Sequence, residues 1–174
     1  MTIRNGTTRK AIELIYNKLR KDEELLRLLK YAPESAHVEF KSPLDESLPN
    51  VYDTTEESDE YWNLVNECIL LQGKLNDIET NKLARIYVVA GNSRSDLRNR
   101  MLIIQDVDIH IYTHDFYEQD LRNDWIRERI EYLLLQEPME LVGNLEFDDS
   151  RPVPSPKEYT ATLNVFQFHR VKGK

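Results

Sequence analysis

Cysteine and glycine are scarce: the 174 residues contain one Cys, Cys68, and five Gly. A lone cysteine cannot close an intramolecular disulfide, so a reducing compartment is the simpler setting. Its context, NECILLQ, is that of a buried helix position rather than an activated thiol. The few glycines form no phosphate-cradling loop, and no G-x-S-x-G nucleophile turn is present. Apolar runs are only a few residues long. A membrane span needs about 20, so no membrane partner is expected. The N-terminal MTIRNGTTRK has no apolar stretch of the kind a signal peptide carries. Positive charge is also short: the formal net charge is −8. Sequence-independent grip on DNA comes from Lys and Arg neutralising phosphates, so the overall balance argues against it.

What remains is an ordinary globular composition, with 40% hydrophobic residues. That length and content can bury a core without disulfide or metal. One domain over residues 1–174 is expected, with a core of sheet and helix over 83–171 and a loop-plus-helix insertion over 32–73.

The spacing predicts a helix over Thr8–Tyr31, with Ile12, Ile15 and Leu19 as one stripe. Leu25, Leu26 and Leu29 continue it after a restart at Asp22. Residues 32–55 carry Pro33, Pro43 and Pro49 and read as loop, with a short strand at His37–Phe40. A second helix runs through Tyr61, Leu64, Val65, Cys68 and Ile69, with acidic residues at its start and Gly73 as its stop. Leu83–Ala90 is apolar on both faces and is expected as a central strand. Gly91–Arg100 then reads as a long hairpin loop.

Met101–Asp115 alternates with period two. Val107, Ile109 and Ile111 share one face; Asp106, Asp108, His110 and Tyr112 share the other. Asp115 and Glu118 suggest a capping box for a third helix, whose buried stripe is Leu121, Trp125, Ile130, Leu133 and Leu134. Leu141–Phe147 reads as a strand and Asp148–Pro156 as a proline-rich turn. In Tyr159–Val171, Tyr159, Ala161, Leu163 and Val165 take the inner face, with Thr160, Thr162 and Asn164 outward. The fold class is α+β: a mainly antiparallel sheet of about four strands packed on two or three helices.

Two groups of residues invite chemistry. Asp106, Asp108 and His110 lie at i, i+2 and i+4 of one strand face, so their side chains could converge on a divalent metal that activates water. Their spacing matches no strong metal signature, and the same residues suit a polar strand face, so neither a metal nor a catalytic residue is assigned. Arg94, Arg98 and Arg100 crowd a hairpin on an acidic chain, which suits contact with DNA or an acidic partner surface and equally a solvated hairpin tip. Together these six residues form the expected subunit or partner interface. His37, His114 and His169 are scattered and carry no pattern.

The strand ending VVAGNSRSDLRNR, the following VDIHIYTHDFYEQDLRNDWIRERIEYLL and the closing YTATLNVFQFHRV resemble tail terminator proteins of long-tailed bacteriophages. These are also called tail-completion or head–tail joining proteins. The resemblance covers Leu83–Val171 and, less closely, the first helix; Ala32–Gly73 is longer than in compact members. It implies a non-enzymatic virion protein without cofactor. Such a protein forms a ring, typically a hexamer, that caps the tail tube and meets the head connector, while DNA passes through the lumen without specific binding. Assembly would take place in the host cytoplasm. A metal-dependent nuclease using Asp106, Asp108 and His110, and a small adaptor without a virion role, are the competing readings.

Overall fold

In a computed structural model of the chain, the described residues are 7–33, 41–52, 58–71, 83–140 and 142–172. Their elements run α1 (Thr7–Leu19), α2 (Glu23–Lys30), α3 (Asp59–Cys68), β1 (Ile69–Leu70), β2 (Ala84–Ser95), β3 (Leu102–His114), a short 3₁₀ turn (Tyr117–Asp120), α4 (Arg122–Leu135), β4 (Glu146–Pro152) and β5 (Tyr159–Val171). The class is α+β, as the hydrophobic periodicity predicts. Among the described residues the sheet has five strands in the order β1-β2-β3-β5-β4, antiparallel except for the parallel pair β1–β2.

β2, expected as central, lies inside the sheet between the two-residue β1 and β3, and β3 is the middle strand. β3 pairs with β2 on one side and along its whole length with β5 on the other. Opposed residues of an antiparallel pair share a face. Val107, Ile109 and Ile111 therefore stand beside Val88 and Ile86 of β2 and Phe166 of β5. This face is fully buried under the helices. The register also puts Ile109 opposite Asn164 and Ile111 opposite Thr162. Asn164 is thus buried beneath the helices, while Tyr159, Ala161, Leu163 and Val165 lie on the other face beside the polar row of β3. The alternation in β5 is as expected, but its two faces are exchanged. The hydroxyl of Thr162 donates to Asn123 Oδ1 on α4 at 2.7 Å, and Asn123 Nδ2 donates to Thr113 Oγ1 at 2.8 Å. Hydrogen bonds of this kind offset the cost of burying polar groups.

The long N-terminal helix breaks where the sequence suggests. Asp22 has extended backbone angles, and its carboxylate accepts from the Leu25 N–H at 2.8 Å, capping α2. α2 has eight residues, five of them buried. It is held at both ends by α4. Arg122, fully buried, donates to the carbonyls of Leu28 and Tyr31, which the end of α2 leaves without helical partners. Its guanidinium also grips Asp120 at 2.7 Å. Arg129 grips Asp22 through two bonds, at 2.8 and 2.6 Å. Two helical turns separate the arginines, roughly 10 Å at 1.5 Å per residue, and α2 spans about 12 Å. The two helices therefore lie antiparallel with matched ends.

Residues 41–52, expected as loop, are fixed on α2. Glu23 accepts from the N–H groups of Val51 and Tyr52 at 2.8 and 2.7 Å, and Tyr31 Oη donates to the Pro49 carbonyl at 2.6 Å. α3 contributes Tyr61, Val65 and Cys68 to the same core. It stops at Cys68 because Ile69 and Leu70 turn into β1. Burial pushes the Cys68 thiol up to about 12, so it stays protonated and inert. The expected strand at His37–Phe40 and the stop at Gly73 lie outside the described residues.

Three boundaries differ from expectation. β2 runs to Ser95 through a bulge between Ala90 and Ser93, so half of the expected hairpin loop is paired strand. Gln105, buried in β3, stabilises the bulge by donating to the carbonyls of Gly91 and Asn92, each at 3.2 Å. α4 starts at Arg122 rather than near Asp115, because the 3₁₀ turn intervenes and Leu121 takes a left-handed conformation (φ 58°). Glu118 still accepts from the Asn123 N–H at 3.1 Å. The buried stripe is consequently Arg122, Asn123, Ile126, Ile130 and Leu134. Leu121 is 63% exposed, and Trp125 is half-buried. Finally, β4 occupies Glu146–Pro152, later than the expected Leu141–Phe147. Asp148–Pro152 is therefore edge strand rather than turn, a place where a proline is tolerated.

Arg122→Ala takes the guanidinium away from two helix-end carbonyls and a carboxylate. It is expected to lower unfolding free energy by about 3–5 kcal/mol, the usual cost of breaking a buried charged network. Urea titration measures it; a loss below about 1 kcal/mol would show that α2 is held by apolar packing alone.

Candidate interaction surface

The sheet face away from the helices carries two distinct regions. Along the middle, aromatic and imidazole rings stack across strands. Tyr87 meets Tyr112 edge-on with centroids 5.5 Å apart, and His114 meets Tyr159 edge-on at 5.1 Å. Tyr87, Tyr112, Tyr159 and Ala161 form a small second apolar cluster. The polar row of β3 is therefore not a simple wet face. Asp106 is 5% exposed, and Tyr112 is 6% exposed.

Asp106, Asp108 and His110 do share this face, as the period-two pattern requires. They do not act as one ligand set. Arg94 lies on the same face in the paired part of β2 and bonds both oxygens of Asp106, each at 2.8 Å. That guanidinium occupies the carboxylate a cation would need. No group of three or more His, Cys, Asp or Glu is placed to hold a metal among the described residues.

Asp108 packs against the bulge. A Cβ added at Gly91 would come within 2.3 Å of Asp108 Oδ1 and 3.0 Å of the Asp106 Cβ, so glycine is required there. Burial raises the Asp108 carboxyl above its ordinary range, against the opposing pull of His110. Burial likewise holds the His110 imidazole below its ordinary range, against the attraction of Asp108, and His110 Nδ1 has no hydrogen-bond partner.

At the far end of the sheet the character changes. The β2–β3 turn, residues 96–101, is built on Asp96, whose carboxylate accepts from the Arg98 N–H at 2.7 Å. That bond holds the Asp96 carboxyl below its ordinary range. His169 of β5 lies 3.6 Å from the same carboxylate. Leu97 projects from the turn and is 98% exposed. Met101 and Val171 are also exposed; they adjoin, since Leu102 pairs with Val171 and the Lys172 N–H donates to the Met101 carbonyl at 2.9 Å. Arg98 and Arg100 flank this apolar tip, and neither forms an ion pair with a described residue. Of the three arginines singled out from the sequence, two are thus presented outward and one, Arg94, is tied into the sheet.

Sequence reasoning missed Leu97, Met101 and Val171. The signal was present: a leucine between charged residues in a turn, with an apolar residue ending each neighbouring strand. A second exposed apolar region was also missed. Trp125 and Tyr132 of α4, Leu28 of α2 and Leu44 line a groove of about 290 Å³, with Glu24, Glu128 and Arg129 on its rim. Only the true start of α4 reveals which of its residues face this groove.

The His110 setting gives a pH signature. A histidine whose folded value is depressed supplies stability above its ordinary value, about 6.5, and loses it as pH falls through that value toward the depressed one. Asp108, with a raised value, acts the other way, favouring the fold as pH falls toward the ordinary carboxylate range. Between about pH 7 and about pH 5, wild type should therefore lose stability relative to His110→Gln, which keeps Asp108. Parallel denaturation midpoints for the two proteins would remove the buried-imidazole account.

The chain matches the model of the YomW family over residues 22–168. Comparison with curated proteins gives no match. The family match begins at Asp22, the residue that caps α2 and receives Arg129, and runs into the last turns of the pairing between β3 and β5. By that extent the chain belongs to the YomW family.

Proposed function

We propose that this protein is a structural component of a phage virion, a ring-forming tail terminator or neck subunit that caps the tail tube and meets the head connector. The observation that carries the reading is the β2–β3 hairpin. Its tip presents an almost fully exposed leucine, Leu97, followed by two outward arginines, Arg98 and Arg100, on a chain of net charge −8. Exposed apolar side chains rimmed by charge suit contact with protein. A basic tip on an acidic molecule favours neighbours of its own kind or an equally acidic one. The arrangement of a mainly antiparallel sheet with helices on one face agrees with the fold expected from the tail terminator resemblance. The family name is a phage-derived one, which supports a phage origin without bearing on the role.

In this reading the polar row of β3 is support rather than catalyst. Arg94 and Asp106 hold the bulged end of the hairpin together, so that the tip projects at a fixed angle. The nuclease reading needs Asp106 as a metal ligand, and its two oxygens already face Arg94.

The test uses the tail-tube protein that this reading expects in the same genome as this chain. Purified chain added to polymerising tube subunits is expected to shorten the tubes and to appear as a ring at one end in negative-stain images. Arg98→Glu with Arg100→Glu is expected to fold normally and to lose the effect. Tubes of unchanged length and bare ends in the presence of wild-type chain would refute the reading.

A further inference from the structure

The structure carries two exposed apolar features of opposite shape, one projecting and one recessed. The projection is Leu97 on the β2–β3 turn, with Arg98 and Arg100 beside it. The recess is the groove between α2 and α4, with Leu28, Trp125 and Tyr132 in its walls. Its volume, about 290 Å³, falls just short of the range for small-molecule pockets, roughly 300–1,000 Å³. It is also far more open than a buried cavity: Leu44 is 37% exposed and Tyr132 51%. An aliphatic side chain from a protein fills such a space better than an extended ligand.

The charges match as well as the shapes. Two carboxylates, Glu24 and Glu128, stand at the groove against one guanidinium, Arg129. Arg129 is already committed, to Asp22 at 2.6 Å and to Glu24 at 2.6 Å. Glu128 is exposed and forms no ion pair with a described residue. The rim is thus acidic where the projection is basic.

We infer that the groove receives the hairpin tip of a second copy of this chain. Leu97 enters between Trp125 and Tyr132, and Arg98 and Arg100 meet the carboxylate of Glu128 and its neighbours. The projection and the groove share no residue. Each subunit therefore has one donor site and one acceptor site, and the contact is head-to-tail. Contacts of that type close into rings when the rotation permits. The inference deepens the ring reading above and supplies its subunit contact. The groove is also well braced for this purpose, because both of its walls are fixed to each other by Arg129 and Arg122.

Two full-length variants separate donor from acceptor. Leu97→Glu removes the projection and leaves the groove. Glu128→Lys with Tyr132→Ser spoils the groove and leaves the projection. All three positions are exposed, so both variants should melt like wild type. Sedimentation velocity at matched concentration is expected to show wild type as oligomers and each variant alone as monomer. A one-to-one mixture of the variants should give a species of twice the monomer mass that grows no further, because one good donor and one good acceptor remain. Either variant alone keeping the wild-type mass would overturn the contact, as would a mixture that stays monomeric. Wild type that remains monomeric at its highest soluble concentration would overturn it too. In that case tube capping would still stand or fall by its own experiment.

Discussion

The pairing of β3 with two neighbours at once constrains most of the molecule. Its register with β2 and β5 decides which side chains lie under the helices and which lie on the opposite face. Helix packing then follows, since Val107, Ile109 and Ile111 offer the helices a continuous apolar floor. The same pairing carries the hairpin outward: the β2 bulge lets the strand continue to Ser95, and β5 accompanies β3 to Val171. A one-residue slip would turn the whole apolar row of β3 away from the helices, so the register is strongly specified.

The helix layer rests on a second constraint, the two arginines of α4. Buried guanidinium groups stabilise only where several acceptors surround them. Arg122 finds them in the terminal carbonyls of α2 and in Asp120; Arg129 finds them in Asp22 and Glu24. Because the spacing of the arginines matches the length of α2, the two helices lie at one depth with a groove between them. The groove proposed to accept a neighbour and the bonds that hold the fold are thus parts of one arrangement.

Much of this was legible in the sequence. The class, the break at Asp22 and the extents of β3 and β5 followed from periodicity and capping chemistry. The failures have identifiable physical causes. Period two shows that β5 has two faces but not which one is inward; that depends on Ile109 standing opposite Asn164, a fact of register between distant segments. The start of α4 was misplaced because Asp115 and Glu118 satisfy a helix-start pattern that the chain spends on a 3₁₀ turn instead. Arg94 could not be told from Arg98 and Arg100 without the bulge that places it across from Ile104 and next to Asp106. The groove was illegible because it joins residues from three separated segments.

The six residues marked from the sequence thus divide by role. Arg94 and Asp106 brace the hairpin, Asp108 fills space behind the bulge, His110 stacks beside Tyr112, and Arg98 and Arg100 face outward with Leu97. In the proposed ring, this end of the sheet is a contact between protein subunits. Hydrogen exchange, followed by mass spectrometry on assembled and dissociated chain, reads that claim directly. Assembly is predicted to slow exchange at residues 96–101 and along Trp125–Tyr132, with little change in the middle of β3, which is already protected. Protection gained elsewhere on the surface, with these two segments exchanging at the same rate in both states, would contradict it.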